Sequence, residues 1–264
     1  MRPLAAFPQA ARARIRGVLC DIDDTLTTDG RLTASAYSAL EDLQRARLLV
    51  VPVTGRPAGW CDHIARMWPV DAVVGENGAF YFRYDHAARR MLRHYAADEN
   101  ARTAQRATLA ALGERIVTAV PGCAIAADQR YRETDLAIDW CEDVPRLPLE
   151  KVDRIVALMQ EAGLTAKVSS IHVNGWHGAY DKLAMAKMLM RECFSVDLDR
   201  QREEFVFAGD SPNDAPMFAH FPHAVGVANI GAFAGRLAAE PAYVTQAGHG
   251  AGFRELADCL LAGG

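Results

Sequence analysis

The segment Asp21-Ile22-Asp23-Asp24-Thr25-Leu26-Thr27 closes a short apolar run that begins at Gly17. In open α/β sheets, ligands bind beyond the carboxyl ends of the strands. Residues two apart on an extended chain project to one side, so Asp21 and Asp23 can aim at one point. Two convergent carboxylates repel each other, which raises one pKa or recruits a cation. Such a pair suits nucleophilic attack by one carboxylate and acid–base work by its neighbour.

Three further segments carry matching chemistry. Val51-Pro52-Val53-Thr54-Gly55-Arg56-Pro57 ends a second apolar run with a hydroxyl and free backbone amides at a helix start, which together make an anion cradle. Phe205-Val206-Phe207-Ala208-Gly209-Asp210-Ser211-Pro212-Asn213-Asp214 puts two more acids after a third run. Asp181-Lys182 opens a helix whose apolar face holds Met185, Met188 and Leu189. Each has an ordinary reading as well. Asp210 suits a turn, Asp214 a helix cap, and Lys182 a solvated cation. Taken together they supply acids for a metal, a hydroxyl and amides for an anion, and a lysine for charge balance, which is what phosphoryl transfer requires. Hard oxygen ligands without clustered His or Cys favour Mg²⁺ over zinc.

The elements that must position these residues follow from hydrophobic periodicity. Buried strands are expected at 17–22, 48–53, 71–74, 204–208 and 223–227, with helices at 33–47, 57–68, 181–193 and 252–261. Thr33 or Ser35 suits the first helix as N-cap. Strands alternating with helices imply right-handed crossovers and a parallel sheet covered on both faces. Between about 84 and 176 the rhythm changes to helix-strand-strand, twice: helix 98–112, strands 123–128 and 134–140, helix 149–162, strands 165–170 and 171–175. The expected architecture is an α/β core, residues 1–84 and 176–264, interrupted by an inserted α+β domain over 85–175.

With 264 residues, half of them apolar and 23% charged, the chain can bury a core without disulfides or metal staples. A net charge of −4 gives no electrostatic ground for nucleic-acid binding, and no apolar run reaches the 18 or so residues of a membrane span. Cys20, Cys61, Cys123, Cys141, Cys193 and Cys259 form no C-x-x-C pair. The N-terminal stretch holds Arg12, Arg14 and Arg16 but no apolar signal core, so free thiols in a reducing cytoplasm are expected.

At this point the sequence resembles a known family. The Asp21–Thr27 segment, Thr54-Gly55-Arg56, Lys182 and Gly209-Asp210-Ser211-Pro212-Asn213-Asp214 are similar, in order, to the four motifs of the haloacid dehalogenase-like phosphatases. Their core is a Rossmann-like parallel sheet. The inserted module resembles the type C2B cap of subfamily IIB, which includes Cof-like, sucrose-phosphate and mannosyl-3-phosphoglycerate phosphatases. Gly75-Glu76-Asn77-Gly78-Ala79 resembles the asparagine-glycine-alanine segment that precedes the cap in that family. Asp24 stands where many members have glycine.

The resemblance implies roles. Asp21 would attack phosphorus and become an aspartyl phosphate. Asp23 would protonate the leaving alcohol and later take a proton from the hydrolytic water, for which its pKa must be raised. Thr54 and the Gly55 amide would bind phosphoryl oxygens, with Arg56 and Asn77 also on the phosphate or substrate. Lys182 would neutralise charge, and Asn213 would orient Lys182 or the phosphate. Mg²⁺ would be held by Asp21, Asp23 through its carbonyl, and Asp210, with Asp214 direct or through water. In the cap, Arg130 and Arg132 near a strand–strand turn, with Asn174, Trp176 and His177 in the linker, are candidates for selecting the substrate, although a solvated hairpin tip suits the arginines better and a packed hinge suits Trp176 better. The remaining histidines lack metal spacing. The implied activity is a Mg²⁺-dependent phosphomonoesterase on a small phosphorylated metabolite, a sugar phosphate or phosphorylated acid. A phosphomutase would need cap cations for a second phosphate. A receiver-like phospho-acceptor would lack both Asp23 and the inserted module.

Overall fold

The computed structural model describes residues 1–262. Six strands form one parallel sheet, in the order Arg2–Pro3, Tyr243–Val244, Val225–Gly226, Phe205–Gly209, Gly17–Cys20, Leu49–Pro52. Phe205 pairs with Gly17, and Gly17 in turn with Leu49, so three apolar runs lie side by side with their carboxyl ends level. Because side chains alternate along a strand, the sheet feeds two cores. Val18, Cys20, Val50 and Val206 pack on one face with Leu40, Leu43, Ile64 and Leu256. Leu19, Val51, Phe205 and Phe207 pack on the other with Met185, Leu189 and Met217. This double burial is why the strands read as continuous apolar runs.

Val53 bridges Val74 in parallel, so Val73–Gly75 continues the row. The chain then turns into an antiparallel meander, Val73–Gly75, Phe80–Asp85 and Arg90–Tyr95. This hairpin is absent from the sequence reading because its exposed half, from Tyr84 to Arg90, offers neither alternation nor a Gly or Pro turn. Phe80, Phe82, Met91 and Tyr95 belong to the first core cluster, so core packing reaches past residue 85.

The inserted domain is a four-stranded antiparallel sheet, Thr165–Val168, His172–Trp176, Asp135–Asp139, Ala124–Ile125, covered by the helices Glu99–Ala119 and Leu149–Glu161. Leu136 and Ile138 face those helices with Val152, Ile155 and Met159. Asp135 and Asp139 alternate to the opposite face and are buried too. The first helix runs seven residues beyond the expected 112, and the expected strand 123–128 shrinks to Ala124–Ile125. The cause is local. Gln129 donates from Nε2 to the Asp135 carbonyl (2.8 Å) and accepts from the Ala137 amide at Oε1 (2.8 Å), standing in for a paired strand. No helix among the described residues is long and apolar enough to cross a membrane.

Candidate active site

The chain leaves the strand Gly17–Cys20 through a tight turn in which Ile22 O accepts from the amides of Leu26 (2.9 Å) and Thr27 (3.0 Å). Asp24 lies in the left-handed region, φ 56°. That conformation favours glycine, and Asp is among the few side chains that tolerate it. The turn leaves Asp21 3% exposed at the sheet edge, its amide bonded to Ala208 O (2.9 Å).

Lys182 reaches the same point from another element. Asp181 caps the helix Lys182–Phe194, accepting from the Ala184 amide (2.8 Å). Gly78, with φ 105°, lets this helix start come close, because a Cβ there would lie 2.0 Å from Asp181 O. Lys182 Nζ then donates to Asp21 Oδ1 (2.8 Å) and Asp214 Oδ1 (2.7 Å). The other oxygen of Asp214 accepts from the amides of Asp210 (3.1 Å) and Ser211 (3.3 Å). Asp210 receives Thr25 Oγ1 (3.2 Å) and Asn229 Nδ2 (3.4 Å).

One carboxylate oxygen each of Asp21, Asp210 and Asp214 lies within 4.8 Å of the others, and all three side chains are buried. Burial pushes the Asp21 carboxyl up to about 7, Lys182 pulls it down, and Asp214 and Asp23 raise it again. Burial likewise holds Asp210 well above the usual carboxylate range, with Asp21 and Asp214 adding to it. Burial alone would lower the Lys182 ammonium, but Asp21 and Asp214 more than offset it and hold it above its ordinary value. Ionising all three carboxylates against one ammonium would leave two uncompensated negative charges, and Asp210 has no cationic partner among the described residues. An all-oxygen donor set with that charge fits a hard divalent cation such as Mg²⁺.

Opposite this cluster is a buried polar loop. Thr54 is fully buried, its Oγ1 accepts from the Arg56 amide (3.0 Å), and its carbonyl accepts from the Asn77 amide (3.0 Å). Asn213 donates to Asn77 Oδ1 (3.1 Å). Asn77 Nδ2 is buried without a partner and would lie 3.1 Å from a Cβ at Gly55. An unpaired amide donor beside a bare backbone suits a phosphoryl oxygen.

Asp23 and Arg56 are placed differently from the rest. The Arg56 guanidinium binds both oxygens of Asp23 (2.9 and 3.0 Å from Nε) and, across the domain boundary, Asp128 (3.3 Å) and Glu142 (3.3 Å from Nη1). The Asp23 side chain is therefore turned to Arg56 and lies outside the carboxylate cluster. Arg132 is buried, bound to Asp128 (3.0 Å), Asp135 (3.1 Å) and the Gly55 carbonyl (2.8 Å). Arg130 is exposed and, with Arg132, lines a cavity of about 490 Å³ along the helix Glu99–Ala119. Asn174 donates to Asp135 (2.8 Å), and Trp176 is buried against Tyr180. A polar cavity of about 470 Å³ opens from Asp23 between the two domains, with Asp24, Arg31, Arg56, Glu142 and Arg146 in its walls.

Several residues of this site carry no mark in the sequence reading. Glu76, fully buried, accepts from the amides of Ala58 (3.0 Å) in the core and of Glu133 (2.9 Å) and Thr134 (2.7 Å) in the insert, and also from the Thr134 hydroxyl. Its place in Gly75-Glu76-Asn77-Gly78-Ala79 was the available signal. Asp128, Glu142 and His172 (2.9 Å from Glu142) gave none, since they are near only after the insert folds over the core.

Comparison with known proteins agrees with this geometry. Residues 18–111 match a family model described as haloacid dehalogenase-like hydrolase. No curated protein sequence matches the chain significantly. Among solved structures, the C-terminal domain of Candida albicans trehalose-6-phosphate phosphatase superposes with a TM-score of 0.71 at 13% identity, covering 99% of this chain and 98% of that one. The sucrose-phosphatase of Synechocystis gives 0.59 at 15% identity, covering 93% and 98%. A sugar phosphatase of haloacid dehalogenase subclass IIB gives 0.57 at 15% identity, covering 92% and 96%.

Proposed function

We propose that this chain, whose fold is that of the haloacid dehalogenase-like hydrolases, is a phosphatase with an inserted cap over its parallel core, hydrolysing small phosphate monoesters in the cytoplasm, sugar phosphates or phosphorylated acids. The observation that carries this reading is the convergence of Asp21, Lys182, Asp210 and Asp214 at one sheet edge, 161 residues separating the first two.

In this reading Asp21 attacks phosphorus while the bond from phosphorus to the leaving oxygen breaks, and the proton on Asp23 passes to that oxygen. Water then attacks the aspartyl phosphate, giving its proton to Asp23, and the bond from phosphorus to Asp21 breaks to release inorganic phosphate. Lys182 favours the ionised form of Asp21 and offsets charge as the phosphoryl group arrives. Thr54, the Gly55 amide and the unpaired Asn77 amide hold phosphoryl oxygens in line, with Asn213 fixing Asn77. Asp21, Asp210 and Asp214, with the Asp23 carbonyl, would hold Mg²⁺, which when bound neutralises charge developing on the phosphoryl oxygens. The inserted domain covers the site and excludes water.

Arg132 is engaged by Asp128 and Asp135, and neither it nor Arg130 lines the cavity that opens from Asp23, so neither supplies the cap cation that a mutase would need for a second phosphate. Phosphate release from a panel of phosphorylated metabolites, with Mg²⁺ or with EDTA, tests the proposal. Release that requires Mg²⁺ and Asp21 supports it, and a stable phosphoprotein without turnover refutes it.

A further inference from the structure

Beside the cavity that opens from Asp23 lies a second one of about 450 Å³, also between the two domains. The core contributes Asp24 and Asp210 to its walls, and the inserted domain contributes Trp140, Arg146 and Ser170. Arg146 is the one arginine among the described residues that lines both cavities. It belongs to the loop between the strand Asp135–Asp139 and the helix Leu149–Glu161. Arg56 and Arg132 are each taken up by carboxylates. Arg146 is exposed and has no acidic partner among the described residues, and its guanidinium stacks on the Trp140 ring, 4.7 Å from Cζ to the centroid. Trp140 is 1% exposed, so the platform is fixed. Stacking occupies the flat face of the guanidinium and leaves its N–H edges for a ligand.

Two groups of another kind stand in the same walls. Trp140 Nε1 and Ser170 Oγ are buried without a hydrogen-bond partner. A buried donor left unmade is costly, and so marks a place where an acceptor is expected. We propose that Arg146, Ser170 and Trp140 form the subsite for the leaving alcohol and that it takes a carboxylate, so that the substrate is the phosphate monoester of a hydroxy acid. The proposal rests on the phosphatase reading and chooses between its two substrate classes. A planar carboxylate meets a guanidinium edge through two parallel hydrogen bonds, which a sugar hydroxyl does not. One arginine and two neutral donors suit a single negative charge better than a second phosphate. Asp24, with His249 Nδ1 at 3.2 Å, and Asp210 repel an anion across the cavity, so the carboxylate depends on Arg146 for its place.

The test compares two esters, glyceric acid and glycerol each phosphorylated on a terminal hydroxyl. They share the reacting bond and differ only in a carboxylate against a hydroxymethyl group. In the wild-type protein kcat/KM should favour the glycerate ester by about thirtyfold, and Arg146→Gln should bring the ratio close to one, chiefly through KM. Ser170→Ala should lower the ratio by a smaller factor, since a neutral hydroxyl contributes less than a cation. Thermal melting shows that each variant is folded. A wild-type preference for the glycerol ester, or a ratio that Arg146→Gln leaves unchanged, overturns the inference, while the released phosphate leaves the phosphatase reading in place. Failure of the wild-type protein to release phosphate from any ester is a different result, and it overturns the phosphatase reading together with the inference built on it.

Discussion

Lys182 and Asp21 are in direct contact, Nζ to Oδ1 2.8 Å, with both side chains nearly sealed from solvent. Removing the charge of Asp21 therefore has two separable effects. Asp21→Asn should abolish phosphate release, because an amide does not attack phosphorus. It should also leave the melting temperature unchanged or raised, since it takes a carboxylate with an elevated pKa out of a buried acidic cluster. Released phosphate together with a melting curve checks both, and turnover in this variant would remove Asp21 from the chemistry.

The metal-free protein should lose stability as pH rises from about 4 to about 7. Asp21 and Glu76 are both raised to about 7 by burial, so between their unfolded and folded pKa values the native state holds protons that the unfolded chain has released. Asp210 is raised in the same direction. Lys182, held above its ordinary value, contributes equally across this window, and the lowered Glu142 carboxyl makes its contribution fully above about 4.5. The expected loss is on the order of a few kcal/mol.

Mg²⁺ should reverse that loss in a pH-dependent way. A cation bound only by the native state stabilises it by mass action, and it binds these carboxylates in their ionised form. The melting shift between Mg²⁺ and EDTA should be larger at pH 8 than at pH 5.5. An equal shift at both would show that the ion binds elsewhere.

Asp23→Asn should slow hydrolysis of alkyl phosphates by roughly 10²–10⁴. The variant keeps the size of the side chain but not its proton, and its acceptor oxygen can still face Arg56. Steady-state rates on glycerol phosphate measure the effect, and a change under twofold would exclude Asp23 as the acid.

Glu76→Ala should destabilise the protein by about 3 kcal/mol or more, since it strands the buried donors of Ala58, Glu133 and Thr134. Because these donors come from both domains, KM should rise as well. Urea unfolding and steady-state kinetics read the two effects separately.

Much of this was legible from residue order. The three apolar runs at Gly17, Leu49 and Phe205 announce doubly covered parallel strands, because a buried strand has no polar face to show. Thr33 does cap the helix that follows it, and the helix expected to open at Asp181 does begin there. The acids and the hydroxyl lie where they do because loops at the carboxyl ends of adjacent parallel strands must meet, and Gly17–Cys20 has Phe205–Gly209 and Leu49–Pro52 as its neighbours. The hairpin Phe80–Tyr95 escaped because its outer half is wet, and the strand at Ala124 was overdrawn because the side chain of Gln129 does the work of a partner strand.

Local order determined which groups meet around the candidate metal, since each is delivered by its own strand or helix start. It did not determine what meets Asp23. That was decided by the folding of the inserted domain over the core, which brings Glu142 and Asp128 to Arg56 from 86 and 72 residues away. Contacts between separately folded surfaces depend on shape and charge that appear only once both are built, so no spacing in the sequence records them.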